Sequence, residues 1–265
     1  MKTSFILRAG ERGYNKLQST GPLASYISGH PEAVLIRHSS FNFGPYQAGH
    51  AGFGRLRVFG DEVFSGPGCG YNIHRHHNFI ICAFVLQGEL THINTVGNID
   101  QLTSGDYYAF SAGSGGKHCE VNLKNDDMHA IYMWFLPDQL LLPPSYRRNH
   151  FDALANRNQL VTLVGNVDGA LRLSQDVTVS RLSSDTAMAF DYTPRSASHG
   201  VYVFVREGGI RCGGVELGHR DSTGIWSVGS VDIEVLEDDS DVMIVETVMI
   251  DDTKIKTWEH EHAGH

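Results

Sequence analysis

The sequence predicts an all-β protein made of two barrels in tandem. Three observations carry that reading. Gly accounts for 29 of 265 residues, and helix-favouring charged runs are scarce. Short β-forming segments recur at a spacing of roughly 8–12 residues between turn signals. The rhythm breaks from Pro143 to about Arg157, where Pro, Arg, Asn and His dominate, and then resumes. The expected organisation is a first barrel over 1–142, a linker over 143–158, a second barrel over 159–250 and a polar, His-rich tail over 251–265.

Taken in order, residues 37–46 (RHSSFNFGPY) read as an aromatic loop, and a short strand begins at Leu56–Val58. Phe79–Leu86 (FIICAFVL) is a continuous apolar run, as expected of a strand covered on both faces. Gly88 ends it. Glu89–Ile93 alternates, and Val96-Gly97-Asn98 reads as a hairpin turn. After the turn at Ser104-Gly105-Asp106 come a strand at Tyr107–Phe110 and a Gly-rich loop at Ala112–Gly116. Ala130–Leu136 (AIYMWFL) is a buried strand ended by Pro137. In the second half, strands are expected at Leu160–Val164, Val177–Arg181, Met188–Tyr192, Val201–Val205, Ile210–Val215, Ile233–Leu236 and Val242–Met249.

The net charge of −9 argues against a broad electrostatic footprint for nucleic acid. Cys69, Cys82, Cys119 and Cys212 form no CxxC pair and no disulfide framework, and Cys82 sits in an apolar run as a small hydrophobe. The N-terminus lacks a signal-peptide core, and no apolar run approaches the ~20 residues of a membrane span. A cytoplasmic protein without membrane contact is the expectation.

The chemistry concentrates in His74-Arg75-His76 and His118-Cys119-Glu120. Residues i and i+2 of a strand share a face. His74 and His76 therefore aim at one point, as do His118 and Glu120, and Cys119 points away. Two such strands inside a barrel supply three imidazoles and one carboxylate, a set suited to Fe(II), with Mn, Ni, Cu or Zn as chemically competent occupants. Glu120 has a second role open to it, as general base toward a substrate hydroxyl. His77 faces the other way from His76. His38 and His92 read as hydrogen-bonded structural or pocket-lining residues, and His260, His262 and His265 as a solvated end. Phe43, Tyr46, Phe53, Tyr107, Phe110, Tyr132 and Trp134 read mostly as core, a few as cavity lining. His199 and His219 are isolated, so the second barrel is read as lacking a metal site.

The runs GYNIHRHHNF, VLQGELTHINTVGN, SAGSGGKHCEVN and YMWFLP resemble the pirin family. HSSFNFGPY, GFGRLRV and GPGCGY upstream are similar to their pirin counterparts in the same order, and GVYVFVREGGIRCGG resembles the second domain more loosely. The resemblance implies two cupin-type double-stranded β-helix barrels, a bicupin, with short helices. It places the metal ligands at His74, His76, His118 and Glu120. Arg75, His77, Asn78 and Ile80 stand where the family usually has Pro, Arg, Gly and Glu, which implies an altered pocket mouth. The function implied is that of an iron-dependent dioxygenase of the quercetin 2,3-dioxygenase type, acting on a flavonol-like or enolic small molecule. The alternative is an iron-dependent, redox-sensing regulator that acts through a protein partner without turnover. A lyase or isomerase acting on a small oxyacid is a third class, for which Arg75 offers a place to meet an anionic group.

Overall fold

The computed structural model describes residues 3–43, 49–251 and 253–255. The chain is almost entirely strand, and it divides into two compact units. The first comprises residues 13–52, 56–151 and 252–265, and the second 1–12, 53–55 and 152–251.

The first unit is built on two antiparallel sheets. One has seven strands, in the spatial order Ser145–His150, Asp106–Ser111, Ile80–Gln87, Met128–Phe135, Leu56–Ser65, Val34–Phe41, Gly13–Leu17. The other has five, in the order Ile27–Ser28, Cys69–His76, Gly116–Asn122, Glu89–Asn94, Ile99–Thr103. The apolar run at Ile80–Gln87 is a central strand, with Ile81, Cys82 and Ala83 fully buried, because both of its edges and both of its faces are covered.

The second unit has a six-stranded and a four-stranded sheet. Its core is aliphatic, with Val201, Val203, Val205, Ile210, Val242 and Ile244 packed together. Phe53 packs on Phe5, Tyr202 and Trp226 within this unit.

Several elements differ from the sequence expectation. Ile210–Val215, expected as one strand, is a hairpin in which Ile210–Cys212 pairs with Val215–Leu217. Residues 37–41 are strand rather than loop, because Val34–Phe41 is hydrogen-bonded on both edges, to Gly13–Leu17 and Leu56–Ser65. Ser145–His150, inside the expected linker, pairs with Asp106–Ser111 of the first unit. Ser4–Leu7 pairs with Ser222–Trp226 and so belongs to the second unit rather than to a first barrel beginning at residue 1. Tyr46 and the tail histidines His260, His262 and His265 lie outside the described residues. Among the described residues all four cysteines are free thiols, and no helix is long and apolar enough to cross a membrane.

Candidate metal centre

Two adjacent strands of the five-stranded sheet bring the predicted residues together. Cys69–His76 and Gly116–Asn122 run antiparallel, with Gly116 opposite His76, Lys117 opposite Arg75 and His118 opposite His74. The register then slips, so that Glu120 faces Tyr71. Two residues separate Tyr71 from His74, whereas one separates His118 from Glu120. This is a β-bulge that turns Tyr71, His74 and His76 all inward despite their uneven spacing.

One donor atom from each of His74, His76 and His118 falls within 4.8 Å of the others. His92, His118 and Glu120 form a second group by the same measure. His118 therefore belongs to both groups, and Glu120 Oε2 lies 3.8 Å from His118 Nε2. The four residues singled out from sequence are thus neighbours, but Glu120 stands beside His118 rather than within the three-imidazole group.

The hydrogen bonds set the ring states. His74 Nδ1 lies 2.8 Å from the Asn72 carbonyl, which only accepts, so this nitrogen carries the hydrogen. In the neutral ring His74 Nε2 is then a lone pair, and it faces His118 Nε2 at 3.1 Å. His118 Nδ1 in turn lies 3.1 Å from His92 Nε2. Burial, reinforced by the neighbouring histidines, holds His118 well below the usual imidazole range, and burial then His74 pushes His92 down to about 3. Neutral imidazoles converging on one point, with outer nitrogens held by a carbonyl and a further ring, are the arrangement by which proteins orient metal-ligating histidines. Three nitrogens and a nearby carboxylate fit a first-row divalent ion.

Glu120 is buried, and burial raises its carboxyl to about 8 despite the hydrogen bond that Tyr108 donates to Oε1. Trp134 stands edge-on to His76 at 4.7 Å, and Phe110 stacks on His118 at 5.0 Å. These contacts, from aromatics read mostly as core, fix the ring planes.

The sequence reading missed a polar cluster next to the histidines. Arg37 Nε donates to Glu62 Oε1 at 2.8 Å, and the Tyr71 hydroxyl donates to Glu62 Oε2 at 2.7 Å. Tyr26 and Tyr71 both lie against His74, at 5.1 and 5.9 Å between ring centres. No local signal marked it, because Arg37 is followed by His38, Ser39 and Ser40 and Glu62 stands beside Asp61, so neither stands out within its strand. The remaining candidates lie outside the histidine groups. His77 is half-buried with Asn78 Nδ2 at 3.5 Å from its Nδ1, His38 packs on Tyr14, and Cys119 is half-buried. His199 is held between Glu246 and Asp176 in the second unit, and His219 meets Glu207.

Two of the altered residues have a structural reason. Asn78 has φ of +64°, a left-handed conformation that Asn tolerates better than other residues with a Cβ, and its Oδ1 accepts from Leu141 N at 2.8 Å. Ile80 is 1 % exposed, so an apolar side chain suits it. The strands open on a cavity of about 610 Å³ lined by residues 75–77, Thr95 and residues 114–117.

The family model described as Pirin matches residues 30–135, and the one described as Quercetinase C-terminal cupin domain matches residues 164–247. The chain is 30% identical over 202 residues to a quercetin 2,3-dioxygenase of Escherichia coli K12, covering 75% of this chain and 85% of the relative. It is 28% identical to a pirin-like protein of Caulobacter vibrioides, covering 82% and 95%. The crystal structure of YhhW from Escherichia coli superposes with a TM-score of 0.80 at 24% identity, covering 94% of this chain and 99% of that one. A second structure, of bacterial pirin YhhW from Escherichia coli in complex with nickel(II), gives 0.79 at 24% identity, covering 93% and 100%. The two matched segments and the two all-β units make this chain a bicupin, and it belongs to the pirin family.

Proposed function

We propose that the chain is a metal-dependent dioxygenase acting on a flavonol-like or enolic small molecule, with His74, His76, His118 and Glu120 as ligands. The observation that carries this is the convergence of three imidazole nitrogens within 4.8 Å beside a buried carboxylate. The nickel-bound pirin and the relatives named quercetin 2,3-dioxygenase support the same reading. Iron is our preferred ion, and Mn, Ni, Cu and Zn are the alternatives to test. When bound, such an ion lowers the pKa of an enolic hydroxyl and supplies the electronic centre that oxygenation needs.

The chain's own residues do the rest. His92 and the Asn72 carbonyl orient His118 and His74. Trp134 and Phe110 back the rings with apolar surface, which limits water at the reacting end of the cavity. Tyr108 holds Oε1 of Glu120, leaving Oε2 on the side of His118. In the second role open to Glu120, with the carboxylate ionised and off the metal, Oε2 is the atom that would take the substrate hydroxyl proton, and Tyr108 steadies the group as its protonation changes.

The test is oxygen uptake with quercetin on protein loaded in turn with Fe(II), Mn(II), Ni(II), Cu(II) and Zn(II), each corrected for uncatalysed oxidation. We expect uptake with at least one ion and its loss, together with loss of bound metal, in His76→Ala. No uptake above background with any ion overturns the dioxygenase reading.

A further inference from the structure

The strand Gly116–Asn122 lies between Cys69–His76 on one side and Glu89–Asn94 on the other. It carries His118 and Glu120, and each neighbouring strand brings histidine to it. The ligand set proposed above draws on the Cys69–His76 side. The Glu89–Asn94 side completes the other group, His92, His118 and Glu120, in which one donor atom of each lies within 4.8 Å of the others. All three residues are buried. Glu120 sits directly opposite His92 in the ladder, so both side chains leave the sheet on the same face. Orienting His118 accounts for the place of His92. It does not account for a carboxylate within reach of both rings.

The two nitrogens of His118 address different neighbours. Nε2 lies 3.1 Å from His74 Nε2, and Nδ1 lies 3.1 Å from His92 Nε2. Two imidazole nitrogens that share one ion at about 2.0–2.1 Å, at an angle between square and tetrahedral, stand about 2.9–3.4 Å apart. Both separations fit. Tyr146 stacks on His92 at 5.0 Å and Tyr108 lies at 4.3 Å between ring centres, so the ring is clamped before an ion arrives. We propose that His92, His118 and Glu120 form a second, inner ion position, and that His118 bridges two divalent ions, the outer through Nε2 and the inner through Nδ1. Glu120, with Oε2 3.8 Å from His118 Nε2, is common to both positions. Two imidazoles and a carboxylate suit Cu, Ni or Zn rather than Ca or Mg. A ring bound through both nitrogens carries no N–H, so one hydrogen leaves His118 for the buffer. The inner ion thus adds one net positive charge rather than two. The inference takes from the proposed function only that His118 is a ligand, and it needs no oxygen chemistry.

The experiment titrates metal-free full-length protein with Cu(II). Bound copper is counted after gel filtration, and the electron paramagnetic resonance signal is read at liquid-helium temperature. Two Cu(II) ions joined by an imidazolate are spin-coupled, so the signal should grow up to one ion per chain and fall as the second binds. His92→Phe removes a donor of the inner group and none of the three outer imidazoles. It should hold one ion per chain, more weakly, with no fall in signal, and its thermal midpoint shows whether it is folded. Saturation of the wild type at one ion per chain overturns the inference. So does a second ion whose signal simply adds to the first, the result expected of adventitious binding at His260, His262 or His265. A fall in signal that persists in folded His92→Phe overturns it too. Oxygen uptake is read separately. A coupled copper pair without uptake on any ion overturns the dioxygenase reading and keeps the inner position, whereas uptake by a protein that saturates at one copper does the reverse.

Discussion

The two units treat the buried acids whose ionisation is shifted in opposite ways. In the second unit every buried acid with a resolved shift is held in its charged form by a partner. Arg181 and Arg206 hold Asp241 below the usual carboxylate range, against the cost of burial. His199, Tyr192 and Arg195 do the same for Glu246. In the first unit Glu120 is raised to about 8, and the neighbouring histidines are pushed down, chiefly by burial. Groups that have already found opposite charge are scaffolding. Groups held away from their ordinary values by burial leave interaction energy for something that arrives later. Among the described residues, both groups of three metal-capable side chains lie in the first unit.

The comparison can be broken first in the second unit. Asp241→Ala leaves Arg181, 8 % exposed, without its bidentate partner, and should cost about 3–5 kcal/mol in urea unfolding. The sign with pH follows from the lowered pKa. The contribution of Asp241 is present above the pKa it has when unfolded, and it is lost as pH falls through the lower folded value. Wild-type stability should therefore fall toward strong acid more steeply than that of Asp241→Asn, and parallel acid limbs would contradict the ion-pair assignment. In the first unit, His92→Phe removes the ring facing His118 Nδ1 at 3.1 Å while keeping bulk beside Tyr108 and Tyr146. Metal affinity should drop about 10- to 100-fold with little change in apo stability, as read by competition with a chelator. An unchanged affinity would leave His92 a packing residue. The smallest effect belongs to Asn78→Gly, which keeps the left-handed backbone and loses side-chain contacts that include the bond to Leu141 N and the approach to His77, at about 1 kcal/mol in thermal unfolding.

Much of the side-chain arrangement at the candidate centre was legible because strand alternation converts HxH and HxE directly into shared faces. The buried strands at Ile80–Gln87 and Met128–Phe135 were legible because short continuous apolar runs of β-formers mark strands covered on both faces. Ser145–His150 was not, since it is a largely exposed edge strand with no apolar face, and its register comes from Asp106–Ser111. Ser4–Leu7 pairs with a strand more than two hundred residues away, and no local pattern announces that. The Arg37–Glu62–Tyr71 cluster is likewise a product of register between distant strands. The place of Glu120 beside His92 comes from the register of Gly116–Asn122 on Glu89–Asn94, where the two residues sit directly opposite each other, and no local pattern announces that pairing.

The register slip between His118 and Glu120 inverts the way the centre responds to chain length. Taking one residue out of a regular strand reverses the facing of everything beyond it. Here a surplus residue is already present, and it works as a phase shifter. Regular pairing of the same residues from Tyr71 onward would bring Ile73 and Arg75 to the interior and turn both imidazoles toward solvent. Removing Ile73 takes out the surplus instead, so the two histidines stay in step with Tyr71 on a straight strand. Substitutions at Ile73, which is 61 % exposed, should be tolerated freely, and even its deletion should keep metal binding. Deletion of Cys119 from the partner strand should abolish it, because His118 and Glu120 would become adjacent and face opposite ways. Two outward-facing residues at the same step of the sheet thus differ in kind: one is a spare, and the other is a spacer.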